Sequence, residues 1–264
     1  MTPNLSLVRS AIDLGTHTCL LLIGKLPTPK SLPSEIVTLS DHAKIVRLGE
    51  GVDQARRLSE AGMQRALECL LRYRDLVLEA GIRPEETRAV ATSQARDAVN
   101  GPEFFEKVKQ ATGFSFRVIS GDEEARCTFL GGILPGMDAG KSVIIDIGGG
   151  STELMDHRGG GRSLDIGSVR FTERFLKSDP VTDAEFWACQ AGLDSEIQTL
   201  RSWRAGLSDQ DRLLGVAGTL TTLASWHLGL REFSRERIDA AILTRGDVHR
   251  MVEELKWRTK VERA

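Results

Sequence analysis

Apolar runs that end in acids and glycines give the first outline of this chain. Residues 8–12 and 19–25 read as strands flanking a polar turn, and 36–39 and 43–48 as two further strands before a break at 49–51. Residues 26–33, with three prolines, read as a loop. Met63, Leu67, Leu70, Leu71, Val77 and Leu78 fall broadly on one side of a helix over 59–80, which Ser59 can cap and Gly81 stops. A strand over 88–92 runs into a helix opening at 93–98. A helix over 101–112, a strand over 116–119 and a helix from about Ser120 follow.

The second half begins with an apolar strand, Val143 to Ile145, leading into Asp146, three glycines and a second strand-like run. A turn at 159–161, a short strand over 163–166 and helices over 168–177 and 182–204 come next. A strand over 212–217 then runs into Gly218 and Thr219. Thr244 to Asp247 has capping-box spacing and opens a helix reaching about Trp257. Alternating strands and helices predict the α/β class.

Two of these stretches resemble each other. Residues 143–153 read V-I-I-D-I-G-G-G-S-T-E, and 8–23 read V-R-S-A-I-D-L-G-T-H-T-C-L-L-L-I. Each is an apolar run, an acid, glycine, hydroxyl side chains and a second run, with the copies 133 residues apart from Gly15 to Gly148. Glycines admit close backbone approach, bared amides bind anions, and flanking carboxylates suit a hard cation such as Mg²⁺. The three glycines alone read more readily as an ordinary tight hairpin. Their repetition points to two similar domains, each offering a phosphate-gripping hairpin to a shared cleft.

Composition narrows the function. The 264 residues suffice for two domains. A net charge of −2 argues against a general nucleic-acid or membrane surface, while 35 Lys and Arg leave room for a basic cleft. Cys19, Cys69, Cys127 and Cys189 lack C-x-x-C spacing and read as buried free thiols of a reducing compartment. No signal peptide or membrane span is visible, so a cytoplasmic location is expected.

Chemistry is offered at few places. Ser120-Gly121-Asp122-Glu123-Glu124-Ala125-Arg126 puts three acids at a helix start, where they favour the helix dipole and where Ser120 and Glu123 have capping-box spacing. Glu124 lies one step further round and, facing a cleft, could take a proton from water attacking phosphorus. Arg96 and Arg170 each read either as a bidentate phosphate ligand or as a partner in an ordinary salt bridge. Gly218-Thr219 is a third small-residue strand-to-helix turn. The five histidines share no metal-ligand spacing; His17 alone sits inside a hairpin.

In order, A-I-D-L-G-T-H-T, A-T-S-Q-A-R-D-A, S-G-D-E-E-A-R, D-I-G-G-G-S-T-E, I-G-S-V-R-F-T-E-R-F and G-V-A-G-T-L-T-T-L cover nearly the whole chain. Together they resemble the exopolyphosphatase and guanosine pentaphosphate phosphatase family, which is similar in fold to actin, Hsp70 chaperones and sugar kinases. The resemblance implies two ribonuclease-H-like domains, placed here at 1–125 and 126–264, with a cleft between them. It implies that Glu124 is the general base and that Arg96 holds the terminal phosphate. Asp146 and Glu153 become the acids associated with Mg²⁺. Asp13, Gly15, Thr16, His17 and Thr18, with Gly148, Gly149, Gly150 and Ser151, become the phosphate loops, joined by Arg170, Gly218 and Thr219.

Two departures stand out. Thr16 and His17 replace a Ser-Asn pair, and family chains usually continue beyond the position of Ala264 with another helix and a glycine-rich segment. The expected activity is exopolyphosphatase hydrolysis. The alternatives are guanosine pentaphosphate hydrolysis, a kinase-like or ATP-driven protein, and a non-catalytic binder of the same fold. Expected partners are polyphosphate or the nucleotide, without nucleic acid or membrane; a homodimer is left open.

Overall fold

A computed structural model describes residues 7–28, 35–134 and 136–263. The part of the expected 26–33 loop beyond residue 28 lies outside the described residues. The chain divides into two units, Met1–Gly140 and Lys141–Ala264, so the division expected after residue 125 falls within the helix 121–132.

In the first unit β1 (Leu7–Leu14) buries Ser10, Ile12 and Leu14 on one face, the period-2 pattern of a half-covered strand. β2 (Thr18–Leu26) runs antiparallel to it with Leu21 opposite Ile12 and Cys19 opposite Leu14. β3 (Val37–Ile45) is a single edge strand where the sequence suggested two. Its polar centre, Ser40-Asp41-His42, reads as a break but merely continues along a largely exposed strand, past a bulge at Ile23/Gly24 of β2. A short helix, α1 (Val52–Ala55), precedes α2 (Glu60–Glu79), whose N-cap Ser59 accepts a hydrogen bond from Gly62 N–H.

α2 buries Gly62, Ala66, Cys69, Leu70, Tyr73 and Val77 against the sheet. Leu78, expected on that face, is exposed, because its side of the helix turns to solvent. β4 (Arg88–Ala91) lies parallel to β1 and leads into α3 (Ser93–Asp97); α4 (Gly101–Thr112), β5 (Phe116–Val118) and α5 (Gly121–Gly132) complete the unit. The sheet order is β3-β2-β1-β4-β5.

The second unit repeats this plan in the order β8-β7-β6-β9. β6 (Ser142–Ile147) and β7 (Thr152–Asp156) form the hairpin, and β9 (Arg212–Val216) lies parallel to β6 as β4 does to β1. β8 (Gly161–Leu164) begins two residues before the expected strand. α6 (Ser168–Phe175) is followed by α7 (Asp183–Gln198) and α8 (Arg201–Arg204), a pair where one helix was expected. α9 (Ala217–His227), α10 (Arg235–Asp239), α11 (Arg245–Lys256) and α12 (Lys260–Arg263) follow. The Thr244–Asp247 capping box at α11 forms both of its bonds. Cys19 and Cys69 are buried free thiols as expected; Cys127 is exposed and Cys189 half-buried, since both lie on partly solvated helix faces.

Leu70→Ala removes a fully buried side chain and is expected to cost about 2–5 kcal/mol in urea unfolding. Leu78→Ala, on the solvent side of the same helix, should stay within about 0.5 kcal/mol.

Candidate functional site

In the first unit the turn between β1 and β2 closes with one bond, Gly15 N–H to Thr18 O at 2.9 Å. It is held from behind. Thr16, 4% exposed, shares a hydroxyl–hydroxyl bond of 3.0 Å with Ser93, and its carbonyl accepts from Gly49 N–H at 2.9 Å. A Cβ on Gly49 would meet Gln94 Cγ at 2.4 Å and Thr16 Cγ2 at 2.5 Å, so glycine there permits the close packing. The His17 carbonyl accepts from Val46 and Arg47 N–H. Its ring Nδ1 is buried without a hydrogen-bond partner, and burial, then the charge of Arg47, lower the ring's pKa. His17 is therefore neutral at pH 7, and the altered turn gains bulk without charge. Asp13 stands exposed near the end of β1, opposite Leu20.

At the start of α5 the two neighbouring glutamates part. Ser120 Oγ accepts from Glu123 N–H, but the Glu123 carboxylate goes to Arg117 at 2.7 and 2.6 Å, so only half of the expected capping box forms. Glu124, one step round the helix, turns inward. Its Oε2 accepts from Arg96 Nη1 at 3.0 Å, and the same Nη1 donates to Ile119 O at 2.7 Å. The salt-bridge reading of Arg96 and the catalytic reading of Glu124 thus meet in one contact. Burial raises the Glu124 pKa, opposed by the bond and charge of Arg96 and by the Thr92 hydroxyl; burial prevails.

Thr92 joins β4 to α3. It is 5% exposed, its N–H points to Leu14 O at 3.4 Å, and its carbonyl accepts from Ala95 and Arg96 N–H at 3.0 and 3.2 Å. The first unit therefore brings the 15–18 turn, Thr92, Arg96 and Glu124 together.

In the second unit the closing bond recurs at the same place in the repeat, Gly148 N–H to Ser151 O at 3.0 Å. Asp146 and Glu153 are directly opposed across the hairpin, and opposed residues share a face. Glu153, 2% exposed, accepts from Ser163 Oγ of β8 at 2.8 Å. The glycine turn is clasped by the first residues of α6. Ser168 N–H goes to Gly148 O, and Val169 and Arg170 N–H to Gly149 O. Arg170, also buried, donates Nε to Gly150 O at 2.7 Å and lies 3.6 Å from Asp165. That contact shapes the turn from behind. Thr219 Oγ1 bonds Ile147 O at 2.7 Å, and Gly218 faces open space.

Among the described residues no three His, Cys, Asp or Glu side chains converge as a metal cage. The Asp146–Glu153 pair suits Mg²⁺, which keeps several waters and commonly takes one or two carboxylates plus substrate phosphate oxygens. Sequence reasoning missed Thr92, Ser93, Gly49 and Gly167. The hydroxyl pair T-S ahead of Arg96 was the available signal; the two glycines carry none until the turns are seen against their supports.

The model of the Ppx/GppA phosphatase family matches residues 30–264. Over 249 residues the chain is 31% identical to the bifunctional 3-dehydroquinate synthase/phosphatase of Fusobacterium nucleatum subsp. nucleatum, covering 92% of this chain and 37% of that protein. It is 32% identical to exopolyphosphatase 2 of Mycobacterium tuberculosis over 273 residues, covering 97% of this chain and 82% of that one. The crystal structure of an exopolyphosphatase-like protein matches with TM-score 0.86 and 29% identity over 97% of this chain and 80% of that chain. Among the described residues no helix is long and apolar enough to cross a membrane.

A Cβ on Gly167 would lie 2.2 Å from Gly149 O and 2.5 Å from Gly150 C, backbone that cannot swing aside. Gly167→Ala is therefore expected to cost about 1–3 kcal/mol and to speed amide hydrogen exchange at Ser168, Val169 and Arg170, which donate to the turn. Gly218→Ala, where a Cβ meets nothing within 4 Å, should leave both unchanged.

Proposed function

We propose that this chain, which belongs to the Ppx/GppA phosphatase family, removes the terminal phosphate of inorganic polyphosphate, with Glu124 as general base and Arg96 as the cation facing the phosphoryl group. The observation that carries this reading is the half-buried Arg96–Glu124 pair beside the 15–18 turn. A buried carboxylate with a raised pKa is a stronger base than an exposed one, and a guanidinium facing it favours its ionised form.

In this mechanism water is held by Glu124 and attacks the terminal phosphorus. Its proton passes to the carboxylate as the new P–O bond forms. The bridging P–O bond breaks, and the shortened chain leaves with the bonding pair. Such a reaction demands alignment and charge neutralisation more than covalent chemistry. The backbone amides of the 15–18 turn and the Arg96 guanidinium would supply neutralisation. Asp146 and Glu153 would hold Mg²⁺, which when bound neutralises phosphate oxygens. Guanosine pentaphosphate, with the same terminal anhydride, is the competing substrate.

Glu124→Gln keeps the side chain's shape and removes the base. Hydrolysis of polyphosphate with Mg²⁺, followed as phosphate release, is expected to fall by about 10²–10⁴-fold, with polyphosphate binding retained. An unchanged rate overturns the base assignment, and a parent that binds without hydrolysing makes the chain a binder. Measured side by side, turnover of guanosine pentaphosphate equal to or above that of polyphosphate reverses the substrate assignment. The parent's rate should fall on the acid side at a pH above 4.5, the ordinary value for glutamate, because the base must be ionised and its pKa is raised.

A further inference from the structure

The 15–18 turn has a second neighbour, which the chemistry above leaves unused. Arg47 follows Val46 and precedes Leu48, each 1% exposed, yet is itself exposed. Its backbone is fixed against the turn. Val46 N–H and Arg47 N–H both donate to His17 O at 2.9 Å, and Gly49 N–H donates to Thr16 O. From the other side Arg65 Nε donates to Val46 O at 2.8 Å, and Arg65 Nη2 to Arg47 O at 3.1 Å. With these partners Arg47 is held at φ 49°, a left-handed conformation that glycine adopts freely and arginine only at a cost. Residues held in such conformations persist where their surroundings over-determine them, and they cluster at binding sites. The side chain is not what holds it there. Glu50, the acid three residues on, pairs with Arg65 at 2.9 Å. Among the described residues the Arg47 guanidinium has no ion pair or hydrogen bond. Its charge still reaches the turn, where it is the second cause, after burial, of the lowered His17 pKa.

We propose that Arg47 is a substrate-binding residue: its guanidinium takes a phosphate of the chain behind the terminal one, on the His17 side of the turn. This rests on the reading of the 15–18 turn as a phosphate loop. The turn has two sides. Gly15 lies toward Thr92, whose Oγ1 stands 4.0 Å from where a Gly15 Cβ would be, and Thr92 leads into α3, which carries Arg96 to Glu124. His17 lies toward Arg47, which bonds its carbonyl. A substrate whose terminal phosphoryl group meets the Arg96–Glu124 pair, and whose chain lies over the turn, reaches Arg47 with a later phosphate. His17 is neutral at pH 7 and brings no charge to that side. A guanidinium matches phosphate oxygens with two parallel N–H bonds, and this one is not already neutralised by a carboxylate of its own segment. Fixing the backbone on both sides lowers the entropy lost when the side chain closes on the anion.

The test compares Arg47→Gly, Arg47→Gln and Arg47→Lys in the full chain carrying Glu124→Gln, with long-chain inorganic polyphosphate and Mg²⁺ titrated by calorimetry over a salt series. Arg47→Gly and Arg47→Gln are expected to weaken binding by about tenfold or more, the effect of one hydrogen-bonded charge. They should also make log Kd against log salt shallower by about one unit, through the loss of one cation–phosphate contact. Arg47→Lys keeps the charge and should keep the slope. Orthophosphate, which has no second phosphate, should bind to all of them as it binds to the parent. The urea midpoint separates this from a structural role: glycine relieves the left-handed strain, so Arg47→Gly should unfold at an equal or higher urea concentration while binding more weakly. The His17 ring titration, read by ¹H NMR without substrate, should move upward in Arg47→Gly and Arg47→Gln and stay in place in Arg47→Lys. Unchanged affinity and salt slope in Arg47→Gly and Arg47→Gln overturn the proposal, as does orthophosphate binding that falls as far as polyphosphate binding. Full turnover in Glu124→Gln overturns instead the base assignment, and Arg47 is then decided by KM over the same salt series. A parent that binds no polyphosphate overturns both.

Discussion

One backbone hydrogen bond, made twice, sets the geometry of both candidate loops. Gly15 N–H to Thr18 O and Gly148 N–H to Ser151 O close each hairpin at the same point of the repeat. The bond forces the chain to reverse within four residues, which requires the first of them to approach the fourth closely. A Cβ would stand 3.3 Å from Thr18 O at Gly15 and 3.2 Å from Ser151 O at Gly148. Once the reversal is fixed, β1 and β2, and likewise β6 and β7, are brought into register. The parallel strands β4 and β9 then align beside them with Val90 at Asp13 and Val216 at Asp146. Thr92 in one unit and Thr219 in the other are each delivered by the strand aligned in this register.

The two copies have nonetheless diverged in what they hold. Opposite Asp146 stands Glu153, a buried carboxylate; opposite Asp13, at the matching place, stands Leu20. The second hairpin is therefore the one with paired carboxylates, the pair proposed to hold a hard cation. The supports differ too. The first turn is braced by side-chain hydroxyls and by the segment around Gly49, the second by the first amides of α6 and the guanidinium of Arg170. Arg170 was read from sequence as a phosphate ligand or a salt-bridge partner. Its bond to Gly150 O adds a third role, which fixes the turn whichever anion lies in front of it.

The repeat, the α/β class and most strands and helices were legible because they depend on local pattern: apolar runs, glycine stops, Ser59 and Thr244 as caps. What was not legible depends on neighbours distant in sequence. β3 read as two strands because an edge strand tolerates polar residues that a half-buried one would not. The Ser120–Glu123 capping box was half wrong because Arg117, three residues upstream of Ser120, competes for the carboxylate and wins with two charge-assisted bonds. That competition has a consequence at the site. With Glu123 drawn outward, Glu124 is the acid that turns inward. Gly167 and Gly49 could not be singled out at all, since a glycine's purpose is set by the atom that would strike its Cβ.

The charge balance at Glu124 follows from the same arrangement. An isolated carboxylate at that depth would be driven to its protonated form, in which it is no base. A carboxylate fully compensated by a guanidinium and several donors would be a weak base, its proton affinity lowered like that of Glu185, which backbone and hydroxyl donors hold at about 2. Glu124 lies between these limits. Burial raises its proton affinity, Arg96 and Thr92 pull it back, and the residual shift is upward. A general base is most effective when its pKa approaches the working pH without exceeding it. Burial set against a guanidinium leaves Glu124 with a higher proton affinity than an exposed glutamate such as Glu123, whose pKa the Arg117 guanidinium lowers.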